Sequence, residues 1–569
     1  MLKSGITLVM LIIICLGIFS TNLYAAQTPY STPTPDTQTG KIDGSFLKTA
    51  QATPTFFPVG QGFTDVIPHQ IIRTKDDRLY IFAGQGDPSA ILKVYWTTIP
   101  GTPANTAAFT GATQVTASNS IISVDTAYDG TNLIHVLINT QGGLLQDYVF
   151  NITTNQFATP LTLASGNPTF NPGGGFIGTS GMSAMFDNAL TLHLAYWAGG
   201  NHIVYRAYTY NAGNATLTLT AGPTQLDSSG SANHPALAVS PLDSTVTVAW
   251  VSEATSPRKI LARTFSAPSN WGAIETVSAS PVWTSTQAGI NIDQGPSLII
   301  GWDGTRHLTY IEDFDQRNTY GHVHYVSKKD AGWVDVATPG YSHDPALAID
   351  SAGTLYIFGH GGGINAGCLS NDDMCYMKQD SGGSWGEQQL FAAHTSGISF
   401  DASPSTKWSV VGFNRPETVE LLFFALTGSG TTIYYGRLDP ADSCNHLFVI
   451  NNMDIDICGT LRHAINFLTA NPSNPNKSII LDLPQNTTIT LQGSGLVLPA
   501  GASIFGICAT KGGPAIVLDG TGISQKSLSL SGNSTVNGLL IKSNLGINIT
   551  VTGHQGPIKL GCSKITRKP

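Results

Sequence analysis

Histidines at recurring places are the first residues whose type and spacing could do chemistry. His69, His234, His343 and His394 each stand just ahead of a short apolar run, and His360 ends the second such run of His343–Gly361. An imidazole can donate, accept or ligate near neutral pH. Repeated on one rim, these five would either bind a sugar or a metal or hold one repeat against the next. A second group is Arg306, His322, His324 and Tyr325, in which His322 and His324 share one face of a strand. It could form a basic site for an acidic glycan. His324 or His343 would then be the general base that removes a proton beside a uronate carboxyl.

Cysteine chemistry depends on the compartment. Residues 1–26 carry Lys3, an apolar core from Ile6 to Phe19, and small residues at Ala25 and Ala26. That is the pattern of a cleaved secretory signal peptide, and its core is shorter than the ~20 residues of a membrane span. Six cysteines remain, and an even count in an exported chain reads as disulfides. Proximity suggests Cys368 with Cys375, Cys444 with Cys458, and Cys508 with Cys562. The alternative for the first pair is zinc, held by Cys368 and Cys375 with His343 and His360, since two thiolates and two imidazoles make a common tetrahedral set.

The elements that must position these residues are hairpins. HDPALAIDSAGTLYIFGHG (343–361) holds two strand-length runs around a Gly-containing turn, the signature of a β-hairpin. Copies run from IIRTKDDRLYIFAG to a weaker seventh near Leu426. Their second strands begin near Leu79, Leu133, Leu192, Val246, Leu308, Leu355 and Val419. A third strand follows each hairpin, and several units close on a Trp-led fourth, as in WGAIETVS, WVDVATP and WGEQQLFA. Four short strands per unit and about seven units predict an all-β, seven-bladed β-propeller over residues 61–440. Residues 27–60, rich in Thr and Pro, read as a linker.

After residue 440 the pattern changes. Leu461, Ala464, Ile465 and Leu468 follow helical spacing behind a Thr460 N-cap, and Pro472 ends the run. Beyond it, strands of three to five residues alternate with Gly, Asn or Pro turns, which predicts stacked coils over 441–569 with the helix covering the first.

Only 11% of residues are charged and the net charge is −8, so there is no basic footprint for nucleic acid. After the signal no further stretch is apolar and long enough for a membrane span. Nothing calls for a cofactor. Trp197, Trp250 and Trp302 could stack on sugars or pack in the core.

YMKQDSGGSW (376–385) and YVSKKDAGW (325–333) resemble the Asp-box hairpin of bacterial-neuraminidase-repeat (sialidase-like) propellers, and Arg73-Thr74 resembles their first blade. A sialidase carries an arginine where Ile67 stands, so the resemblance implies the fold and not a carboxylate clamp. His343-Asp344-Pro345 is similar to the blade start of repeat-containing polysaccharide lyases. LFVINN (447–452), CGTLRHAI (458–465), the IILDL and TITL pair, and IVLDGTG (516–522) resemble the start of pectate-lyase-like right-handed parallel β-helix domains of secreted bacterial proteins. Together these imply an exported, non-enzymatic, adhesin-like protein that binds a carbohydrate or a surface protein. The competing expectation is a lyase or glycosidase acting on an acidic polysaccharide.

Overall fold

The computed structural model describes most of residues 53–567. Residues 1–52, 167–180, 283–294, 313–320, 343–344, 362–367, 401–418, 440–446, 455–459, 507–515, 550–558 and a set of shorter segments are not described.

Seven antiparallel sheets follow one another, six of them spanning 69–116, 121–164, 182–225, 232–276, 297–342 and 346–392. The seventh is built from 398–439 together with the strand Thr53–Phe63. The first strands of blades one to five each pack on that of the next blade, and the first strand of blade one packs on the second strand of blade seven. The protein is thus a seven-bladed β-propeller. Strands near the axis are covered on both faces, so every residue of Leu79–Gly84, Ile121–Tyr128 and Val246–Ser252 is buried. Outer strands such as Thr216–Gln225 are largely exposed. This is why the hairpins read as continuous apolar runs and not as alternation.

Two devices tie the blades locally. Where the first strand turns into the second, Asp129, Asp187 and Asp350 accept backbone N–H groups of Leu133, Thr191 and Thr354 at 2.8–3.1 Å. Four residues before that turn, a polar side chain reaches the next blade. Asp125 accepts from the Ala184 amide (2.7 Å), Ser183 donates to the Leu237 carbonyl (3.4 Å), and Ser297 accepts from the Leu347 amide (3.0 Å).

The ring is closed by the N-terminal strand. Thr53–Phe63 pairs antiparallel with Gly430–Asp439 and becomes the outermost strand of the last blade. This corrects the reading of residues up to 60 as linker and of 61 as the domain start. Pro54 and Pro58 masked the strand, yet prolines are tolerated on an outer edge where no ladder donor is required. Phe56 lies 6.2–6.3 Å from the rings of Phe391, Phe423 and Tyr434, and Phe57 lies 5.3 Å from Tyr435. Nearer the axis, Arg73 of blade one grips Glu420 of blade seven with two hydrogen bonds, one of them 3.0 Å from Nε. The Tyr435 hydroxyl donates to the same carboxylate at 2.7 Å. Both charged side chains are buried, at 1% and 8% exposure.

After the propeller, parallel strands form sheets of five, four and three strands, and the chain visits the three sheets in rotation. The helix Leu461–Ala470 lies beside them. Thr460 caps it, accepting from the His463 amide at 3.3 Å, and Leu461, Ala464, Ile465 and Leu468 form its buried face, as the spacing predicts. They join Leu447, Val449, Ile479 and Leu481 in one apolar cluster. Asp454 receives two bonds from Arg462 (2.8 and 2.9 Å), and Arg462 reaches the Ser494 carbonyl. Ile480 and Phe505, register partners in the five-stranded sheet, are buried in the cluster that runs through the propeller blades.

Removing one partner of a buried ion pair leaves an uncompensated charge and costs about 3–5 kcal/mol. Arg73→Met or Glu420→Gln is therefore expected to lower unfolding free energy by that order in denaturant titrations. Arg73→Met combined with Glu420→Leu should recover most of the loss. A double variant as unstable as the sum of the singles would show that the closure does not depend on this pair.

Candidate functional site

An antiparallel four-strand meander puts the start of strand one, the end of strand two, the start of strand three and the end of strand four at one edge. His69, His234, His360 and His394 all fall at that edge of their blades. The expected grouping on one face therefore follows from topology, but each imidazole is held differently. His69 is buried, paired with Ala83 and edge-on to Phe424 of blade seven at 5.9 Å. His234 sits in a bulge between Asn233 and Ala236 with a φ of 51°. Burial, then the charge of Arg258, pushes its pKa down to about 4. His360 is buried at the end of its strand, its carbonyl accepting from Ser342 Oγ at 3.4 Å. His394 binds Asp373 through Nδ1 at 2.8 Å and keeps 44% of its side chain exposed. His343 lies outside the described residues.

The blade-five candidates do not converge on one reacting position. Arg306 donates from Nε to Thr247 Oγ1 of blade four at 2.9 Å. The Tyr325 hydroxyl bonds His307 Nδ1 at 2.7 Å, and its ring meets Trp385 of blade six edge-on at 5.1 Å. His324 is clamped from both sides, with Nδ1 2.7 Å from Asp335 and Nε2 3.3 Å from Glu312. Asp335 also receives the Tyr310 hydroxyl at 2.5 Å and the Ala279 amide of blade four at 2.7 Å. Burial alone would lower the His324 pKa, but the bonds and charges of Asp335 and Glu312 outweigh it and hold it above the ordinary imidazole value. The same bonds hold Asp335 below the carboxylate range against its own burial. With both ring nitrogens engaged by carboxylates, His324 is a poor general base. His322, edge-on to Tyr341 at 4.0 Å, moves the other way, lowered mainly by burial.

Cys368 and Cys375 form a disulfide, with Cα atoms 6.2 Å apart. Oxidised cysteines offer no thiolates, which removes the zinc alternative with His343 and His360. Among the described residues no group of three His, Cys, Asp or Glu side chains is placed to hold a metal ion. Cys444, Cys458, Cys508 and Cys562 lie outside the described residues. Of the tryptophans considered as platforms, Trp250 is fully buried, Trp197 is half-buried, and Trp302 is not described.

The seams between blades hold the groups that the histidine pattern did not reveal. In blade three, His193 Nδ1 bonds the Tyr205 hydroxyl at 2.7 Å, and Trp271 at the start of blade four's last strand meets that tyrosine edge-on at 4.9 Å. His307, Tyr325 and Trp385 repeat the device between blades five and six. The intervening tryptophan departs from it. Trp333 of blade five donates its indole N–H to Glu275 of blade four at 2.8 Å. Lys328 reaches the same oxygen at 2.5 Å and stands 5.8 Å from the indole centroid. Trp333 is partly buried against the apolar cluster of blades four and five, and the Glu275 and Lys328 side chains are 37% and 20% exposed. The signal was present in the Trp-led strands and in the first lysine of YVSKK (Lys328), but Glu275 has no local mark.

No family model matches the chain, and no curated protein matches it. Solved structures with a similar fold are lectin and sialidase propellers. The BP39L lectin of Burkholderia pseudomallei aligns at 12% identity and a TM-score of 0.47, over 66% of this chain and 99% of that one. AofleA of Arthrobotrys oligospora aligns at 10% identity and 0.37, over 60% and 91%. The Trypanosoma rangeli sialidase in complex with sialic acid aligns at 10% and 0.38, over 68% of this chain and 57% of that one.

The shifted histidines give opposite pH signatures. His324 carries a raised folded pKa, so its stabilisation is complete below the unfolded value of ~6.5 and fades as pH rises through the folded value. Urea midpoints should fall more steeply above neutrality for the wild type than for His324→Gln. For His234, with a folded pKa of about 4, the unfolded chain binds the extra proton. Stability should drop as pH falls from ~6.5 towards 4, and His234→Asn, which tolerates the left-handed backbone, should flatten that drop. Parallel pH profiles for variant and wild type would contradict each assignment.

Proposed function

We propose that the chain is an exported, non-enzymatic carbohydrate-binding protein that meets its ligand at the seam between blades four and five. The C-terminal parallel sheets are read as a short right-handed β-helix, the helix Leu461–Ala470 covering its first coil. The observation that carries the binding reading is Trp333 with Glu275 and Lys328. Two seams use the equivalent tryptophan to press on a tyrosine, whereas here the indole N–H meets a carboxylate that an ammonium also reaches, both charged groups partly exposed. An amphipathic ring beside a donor and an acceptor is what a sugar requires, since its C–H face is apolar and its edge is hydroxylated. Two features support the non-enzymatic part: the double clamp on His324, and the separation of Arg306 and Tyr325 into seam contacts. Export rests on residues 1–26, whose removal would make the mature N-terminus Ala26 or Gln27.

One observation favours a second reading. The pKa values of His322 and His324 move in opposite directions, and divergent pKa values in neighbouring groups are how acid and base roles are assigned. In a lyase His322, with the lowered value, would be the base.

The purified protein should bind oligosaccharides on an array, and Trp333→Ala should reduce that binding about tenfold or more. It should give no unsaturated-uronate absorbance with alginate, pectin or ulvan. Uronate turnover abolished by His322→Gln would replace the binding reading with the lyase one. An empty glycan array would leave neither a sugar ligand nor a role for the seam.

A further inference from the structure

We infer that the seam between blades four and five takes a neutral glycan, through two adjacent hydroxyls of one sugar and the C–H face of its ring. The inference deepens the carbohydrate-binding reading and rests on it. The first argument is charge. Glu275 and Lys328 lie 2.5 Å apart and cancel, so the seam offers no net charge to an acidic polymer. A uronate carboxylate bound to Lys328 would have to displace Glu275 and then sit beside it.

The second argument is hydrogen-bond inventory. Both Lys328 and the indole of Trp333 converge on Glu275 Oε2, and among the described residues Oε1 has no other partner. A carboxylate oxygen can only accept and an ammonium can only donate. A pair of neighbouring hydroxyls satisfies both at once, one donating to Oε1 and the other accepting from Nζ.

The third argument is the surface around it. Seven large hydrophobic side chains are exposed among the described residues, and three lie on or beside the same outer strands as Glu275 and Trp333: Ile274 (37%), Val334 (58%) and Val336 (46%). Exposed apolar surface on these strands suits the C–H face of a neutral ring and disfavours a densely charged chain.

Isothermal titration of the full chain with neutral oligosaccharides (gluco-, manno-, galacto- and xylo-series) and with uronate oligosaccharides tests this. At least one neutral series is expected to bind, and uronates about tenfold more weakly or not at all. Lys328→Gln and Glu275→Gln, both at solvent-facing positions, should each weaken neutral binding about tenfold and leave the thermal midpoint in place. Trp333→Phe, which keeps the ring and removes the N–H, guards against a folding defect. Glu275→Gln leaves Lys328 uncompensated and should shift preference towards uronates. Uronates binding the wild type as tightly as neutral sugars would overturn the inference while leaving the carbohydrate reading intact. Neutral binding unchanged in all three variants would place the ligand elsewhere and overturn it too. Absence of any glycan binding would remove both.

Discussion

A propeller is a ring, and everything in it depends on how the last blade is joined to the first. Here the join is covalently paradoxical, because the strand that finishes blade seven comes from the start of the chain. Thr53–Phe63 adds Phe56 and Phe57 to the aromatic rings of Phe391, Phe423, Tyr434 and Tyr435 when it pairs with Gly430–Asp439. The Arg73–Glu420–Tyr435 group sits inside the same seam. A buried charge pair adds modest net stability but penalises every mispaired register. The closure joins residues 347 apart in the chain through the Arg73–Glu420 pair.

Seen from that seam, the other seams are variations on one theme. Each must fill the wedge between two twisted sheets, and most do it with aromatics. Tyr205 with Trp271 and Tyr325 with Trp385 are the repeated solution, each tyrosine steadied by a histidine. Those two histidines, His193 and His307, are not among the ones the repeat pattern singled out. What remains available is the seam that breaks the theme, where Trp333 meets a charged pair and not a tyrosine.

Much of the architecture was legible. Five of the seven second strands begin at the expected residue, and the other two begin at Thr191 and Arg306, one and two residues early. The helix and its cap were also readable, because 3.6-residue spacing is a local property. The closing strand was not: TPTFFPVG looks like linker, and only a partner far along the chain makes it a strand. The site was less legible for the same reason. Glu275 and Trp333 are 58 residues apart, and no spacing rule links them. The His ring was inferred from repeat position, which fixes the face a residue occupies but not the partner it finds there.

The central claim is that the fourth seam is a sugar site and not another structural wedge. Fluorine NMR of protein labelled with 5-fluorotryptophan, titrated with the neutral oligosaccharide that binds best, tests it most directly. The account requires the Trp333 resonance, assigned by Trp333→Phe, to shift with saturation while fully buried Trp250 stays fixed. A saturating ligand that moves other tryptophans and leaves Trp333 unchanged would contradict it.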